Sequence, residues 1–209
     1  FTLIPDACYQ VDSVFLNGVP VNDALVFIPS TSSSYTGDTA IYVLDNVVRD
    51  CQITATFKAI EYQVQTVSHG LGEVTASLSD SVIACGNAVT YTITPTACST
   101  ITEIYYNSAL YTGYDINDGI ATFTVPAVYE NQKVEAYFSI INYAITSETA
   151  LHGTIAAPAV VDCGDSALVT LTPETCYEVD SIWVDGIVLP NETWQVNNQG
   201  VVTFVLTDI

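Results

Sequence analysis

Basic residues are almost missing: Arg49, Lys58 and Lys133 stand against 23 Asp and Glu, for a formal charge of −20. A surface of that sign repels phosphate backbones, which excludes nucleic-acid binding, and it disfavours anionic membrane surfaces. Three Lys/Arg sites also leave trypsin little to cut. Helical periodicity is missing as well, since no window of about 11 residues carries an apolar i, i+3, i+4 stripe. No apolar run approaches the roughly 18 residues of a spanning helix, so membrane insertion is not expected. Phe1 to Pro5 lack the charged n-region and long apolar stretch of a signal peptide; on a secreted protein that signal is removed or lies outside this sequence. Methionine is absent. No CxxC occurs, and His69 and His152 are not spaced with the cysteines as zinc ligands would be. There is no G-x-S-x-G, and no pair of carboxylates is singled out for glycoside cleavage. An enzyme is not expected, and no cofactor is implied.

What is present is repetition. Three segments align without a gap around a cysteine: Phe1 to Cys8, Tyr91 to Cys98 and Val169 to Cys176, each with the pattern x-Thr-x-x-Pro-x-x-Cys. Nine residues after each cysteine stands a turn pair, Asn17-Gly18, Asn107-Ser108 and Asp185-Gly186. Between cysteine and turn lie matching strands, Val11 to Leu16, Ile101 to Tyr106 and Val179 to Val184. The first two copies close on Ile53 to Phe57 and Val134 to Phe138. Apolar and Thr residues alternate with the period of two of half-buried strands, and Asn-Gly or Asp-Gly between such runs signals a type I′ hairpin. The expected fold is all-β, tandem small sandwich-like modules of Ig-like or β-grasp-like type, with copies at 1–61, 62–142 and 143–209. Copy one lacks opening strands and copy three stops before its closing strand. The Ser-rich insertion Ser30 to Gly37 of copy one is expected to be an exposed loop.

The six cysteines read as disulfides and so as the chemistry of a secreted chain. Cys85 and Cys98 are 13 residues apart, as are Cys163 and Cys176, and the ends of an antiparallel pair can meet at disulfide distance. Both pairs are expected to be bonded. For Cys8 and Cys51 two readings stand: they bond each other, or each awaits a cysteine on another segment or a neighbouring subunit.

Other candidates are weaker. Asp115, Asn117 and Asp118 cluster oxygen ligands beside Gly119 and are the candidate Ca²⁺ site, although the spacing is not that of an EF-hand loop; turn formation is the plainer reading. Asn191-Glu192-Thr193 is a glycosylation sequon. His69-Gly70 and His152-Gly153 stand at comparable places in copies two and three and read as structural turns. Tyr105, Tyr106, Trp183 and Trp194 are packing residues or, facing outward, a sugar platform.

The strings Thr170 to Tyr177, Val179 to Gly186, Tyr42 to Val47 and Ile53 to Phe57 resemble the divergent internalin B-repeat type, an extracellular repeat of bacteria and some archaea. Cys85-Gly86 and Cys163-Gly164 match a cysteine-bearing subtype. Copy two departs from the pattern, with Tyr105-Tyr106-Asn107-Ser108 where Val-Asp-Gly is usual. The resemblance implies small β modules in tandem within adhesins, stalks or filaments at the cell surface, and carries no catalytic residues. The expected function is an extracellular structural repeat protein, self-associating head to tail by β-strand complementation. The alternative is an adhesin that recognises glycan or protein through its loops.

Overall fold

Val89, Tyr91 and Ile93 point into a core at 1 %, 0 % and 0 % exposure, while Thr90, Thr92 and Thr94 alternate outward. This two-residue period makes the segment a strand with one buried face, and it recurs along the molecule. The computed structural model describes residues 1–30, 35–148 and 151–207. It is all-β, with several small sheets; among the described residues the only helical elements are two 3₁₀ turns, Asn22–Ala24 and Asn191–Thr193.

Copy one supplies β1 (Thr2–Leu3), β2 (Tyr9–Leu16), β3 (Val19–Pro20), β4 (Val26–Ile28), β5 (Thr39–Ile41) and β6 (Ile53–Ala59). Copy two supplies β7 (Glu61–His69), β8 (Gly72–Ala76), β9 (Val82–Ala84), β10 (Val89–Pro95), β11 (Ser99–Tyr106), β12 (Ala109–Leu110), β13 (Asp115–Asn117), β14 (Ile120–Val125) and β15 (Gln132–Ile140). Copy three supplies β16 (Asn142–Ala144), β17 (Gly153–Ala156), β18 (Val160–Asp162), β19 (Ala167–Pro173), β20 (Trp183–Val184), β21 (Ile187–Val188), β22 (Gln195–Val196) and β23 (Val202–Leu206).

Copy two holds the full pattern: one sheet ordered β13-β14-β10-β8 and another ordered β12-β11-β15-β7-β9. The two meet where the Tyr106 ring of β11 stands edge-on to Phe123 of β14, 6.1 Å between centroids. Within the second sheet β15 runs parallel to β7, Gln132 to Tyr137 against Val64 to His69. The other copies are subsets of this pattern. Copy one forms β1-β5-β4 and β3-β2-β6. Copy three forms β17-β19-β23-β22, with β16–β18 and β20–β21 as separate two-stranded pairs. Among the described residues it shows no strand where β15 joins β11 to β7.

That difference explains one departure from expectation. Val179 to Val184 reads as a strand, yet only Trp183 and Val184 are one. In copy two β12 pairs only Tyr105 and Tyr106 of β11, and the rest of β11 has β15 as its neighbour. With no such neighbour in copy three, 178–182 carries a strand sequence without a ladder.

The hairpin turns are built as their residues require. Asn17, Gly18, Asn107, Ser108, Asp185 and Gly186 all take positive φ, the type I′ condition. In copies one and two the hairpin Asn also fastens the next strand: its Oδ1 accepts the N–H of Gln52 or Lys133, both at 2.8 Å.

The chain divides into two compact units, Phe1–Thr94 with Ile101–Tyr137, and Pro95–Thr100 with Phe138–Ile209. The division cuts through β11 and β15 rather than between repeat copies. The core of the first unit includes Val14, Ala40, Tyr91, Ile93, Ile104 and Val134. That of the second is Val169, Ile182, Val202 and Phe204, with Val179 and Trp194 packed against it.

Candidate functional site

The Pro-x-x-Cys string closes a four-residue turn with the same hydrogen bond in every copy. The N–H of Tyr9, Ser99 and Tyr177 donates to the carbonyl of Asp6, Thr96 and Glu174, each at 3.0 Å. The cysteine is the third residue of the turn, where a type II turn demands positive φ and normally takes Gly or Asn. Cys8 and Cys176 adopt φ 65° and 69°. Holding a side chain in that left-handed region costs about 1 kcal/mol.

Two of these turns carry a bridge. Cys8 is bonded to Cys85 and Cys98 to Cys163, with Cα–Cα distances of 5.2 and 5.3 Å. Each bridge lies within one unit, and each crosses a repeat boundary. A backbone clasp accompanies each. Ile60, the single residue between β6 and β7, donates its N–H to Cys8 O at 2.9 Å and accepts the N–H of Cys85 at 2.8 Å. Ile141, between β15 and β16, does the same with Cys98 and Cys163 at 2.9 and 2.8 Å. The glycine after the second cysteine sits at φ 80° or 86°, and a Cβ on it would stand 3.5 or 3.7 Å from the first cysteine's sulfur. Cysteine turn, aliphatic clasp and Cys-Gly thus form one junction, built twice. In the first, Cys8 N–H also donates to Tyr35 O at 2.9 Å, and the Tyr35 ring stacks on Tyr129 at 3.8 Å. Tyr35 of the inserted segment therefore lies beside the bridge, while 31–34 of the expected Ser30-to-Gly37 loop lie outside the described residues.

No family model, curated protein or solved structure matches the chain.

The pairings read from spacing are corrected by this geometry. Cys85 and Cys98 do not bond, because the residues between them are one strand and not a hairpin. β10 is 7 residues long, which puts its ends about 23 Å apart. Cys163 and Cys176 are separated in the same way by the 7 residues of β19. Cys8 and Cys51 lie at opposite ends of the β2·β6 ladder, where Tyr9 faces Ala59 and Leu16 faces Ile53, about 20 Å apart. Cys51 and Cys176 are free and exposed, and Cys51 Sγ lies 3.3 Å from the Arg49 carbonyl. The observed bridges close loops of 77 and 65 residues, each stabilising by about 4 kcal/mol on the chain-entropy account. The residues missed from sequence are Ile60 and Ile141. Their signal was the recurring Phe-x-x-Ile, Phe57 to Ile60 and Phe138 to Ile141.

The remaining candidates fall into structural places. Asp115 and Asn117 lie on β13, and Asp118-Gly119 is its positive-φ turn into β14. Among the described residues no group of three or more His, Cys, Asp or Glu is gathered to hold a metal. Asn191 is exposed on its 3₁₀ turn, where Thr193 Oγ1 donates to Pro190 O at 2.7 Å. The two histidines are not equivalent. Gly153 opens β17 as Gly72 opens β8, which aligns His152 with Leu71 and leaves His69 on β7. Both nevertheless stack on a tyrosine beside a carboxylate. His69 lies 4.3 Å from Tyr137 and 3.5 Å from Glu135; His152 lies 4.1 Å from Tyr177 and 3.4 Å from Glu174. Lys133, its Nζ 3.0 Å from Glu135, holds that carboxyl below its ordinary value; His69 acts in the same sense, against desolvation. Tyr106 and Trp194 are packed into cores, Tyr105 stands edge-on to Tyr137, and Trp183 is 64 % exposed.

Proposed function

We propose that the chain is an extracellular structural repeat protein, a subunit or segment of a cell-surface filament, sheath or stalk, extended head to tail by β-strand complementation. The observation that carries the reading is the junction built twice between successive repeats, a cysteine turn, an aliphatic clasp and a Cys-Gly pair closed by a disulfide. Modules that dock one on the next through the same unlike surfaces make a heterologous contact, which grows without closing. Among the described residues, the backbone of 178–182 carries no ladder, next to the exposed Tyr177 and Trp183. An open strand edge invites another strand, and apolar positions at alternate places select what is added; in copy two β15, with Val134, Ala136 and Phe138 buried, is the strand at that place.

The composition supports the same reading. Two disulfides belong to an oxidising compartment. A charge of −20 keeps an exposed β surface from collapsing on its neighbours. Among the described residues, no helix is long and apolar enough to cross a membrane. The test is electron microscopy with sedimentation of the purified chain over a concentration series. Unbranched polymers are expected, lost when a peptide copying residues 132–140 is added in excess. A chain that stays monomeric throughout overturns the reading.

A further inference from the structure

We infer that Cys176 is half of a third inter-module bridge, and that its partner is the cysteine of a Cys-Gly pair on the β module whose strand adds beside 178–182. The inference rests on the strand-complementation reading and names the chemistry of the partner.

Two observations point to it independently. The first is internal repetition. Cys8, Cys98 and Cys176 occupy the same position of the same hydrogen-bonded turn, and the first two each hold the cysteine of a Cys-Gly pair from the following repeat. Cys85 and Cys163 are consumed in doing so, which leaves Cys176 exposed and free. The second is the adjoining unpaired strand. In both complete junctions the strand that pairs beside the cysteine turn, β6 or β15, leads through one aliphatic residue into the next strand and on to Cys-Gly. The strand and the cysteine therefore arrive as one ligand: an alternating apolar strand, an Ile-like clasp, a short strand pair and Cys-Gly. Copy three presents both docking places side by side, the unladdered 178–182 and the free Cys176. Cys51 is not this partner, because it precedes β6 at the end opposite the clasp.

The covalent step is a thiol–disulfide exchange. The Cys176 thiolate attacks the partner sulfur held as a mixed disulfide with a small thiol such as glutathione. The new S–S bond forms as the old one breaks, and glutathione leaves as a thiolate that takes up the proton Cys176 gave. The oxidising equivalent comes from the small-molecule disulfide, and no net redox change occurs in the exchange itself.

The full chain is incubated with a peptide copying residues 132–164, whose single cysteine is carried as the glutathione mixed disulfide, and adducts are located by mass spectrometry. The adduct is expected at Cys176 about ten-fold faster than at Cys51, from the raised local concentration that strand docking provides. A control peptide copying residues 160–164, with Cys-Gly but no strand, is expected to lose that preference. Equal labelling of the two cysteines, or equal rates with both peptides, overturns the inference. A second arm uses the long peptide carrying Cys163→Ser and follows hydrogen exchange over 178–182. Protection there without preference for Cys176 sinks the bridge and leaves strand complementation standing. No protection sinks both.

Discussion

Tyr91 is fully buried with its ring 5.0 Å from Phe123, and its hydroxyl finds no hydrogen-bond partner among the described residues. Burial, with a smaller contribution from Tyr106, drives its pKa well above the ordinary phenol value. A buried hydroxyl left unsatisfied costs about 1–3 kcal/mol. Tyr91→Phe keeps the ring and removes the unpaired group, so thermal unfolding should show a gain of about 1 kcal/mol; a lowered Tm would mean that the hydroxyl has a partner. The cysteines of the turns show the opposite balance. At Cys8 and Cys176 a side chain is kept at positive φ despite its cost, as happens where position serves a role. At Cys8 that role is the bridge.

At the scale of elements, β11 and its counterpart in copy three are a natural comparison, since they differ chiefly in their neighbours. Amides of Thr100 to Ile104 lie in a strand flanked by β15, whereas 178–182 has no ladder. Hydrogen exchange should be slower by at least about a hundred-fold in the first segment than in the second, following local opening rather than sequence. Similar rates would show that copy three pairs this segment in solution. The same contrast shows what sequence could and could not reveal. Strand periodicity and hairpin turns were legible because they are local: Asn17-Gly18 needs only its own φ values. The strands β7 and β16 begin at Glu61 and Asn142, one residue ahead of the boundaries read from the repeat. Pairing of the sulfurs was not legible, because it depends on which end of a strand faces which end of another. Cys85 and Cys98 are near in sequence because a whole strand, Val89 to Pro95, carries the chain away between them. Counting gave no help, since pairing within copies and pairing across copies each strand one turn cysteine.

For the whole molecule, the scarcity of cations becomes a probe of connectivity. Arg49 is exposed in the irregular stretch between β5 and β6, while Lys58 and Lys133 lie within β6 and β15. Proteases cut exposed irregular segments in preference to paired strands. Trypsin acting on the native protein is expected to cleave once, after Arg49. The pieces 1–49 and 50–209 should migrate together on a non-reducing gel and separate on reduction, because Cys8–Cys85 spans the cut. Pieces that part without reductant would refute the bridge.

The route of those bridges has a consequence for how the chain answers a pull. Tension applied along the polypeptide reaches Cys8 and passes through sulfur to Cys85, leaving the enclosed loop of 77 residues slack. It does the same from Cys98 to Cys163 around a loop of 65. At about 3.4 Å per extended residue, roughly 260 Å and 220 Å of contour stay hidden. Oxidised, the molecule is a short tether that yields little; reduced, it becomes a long one.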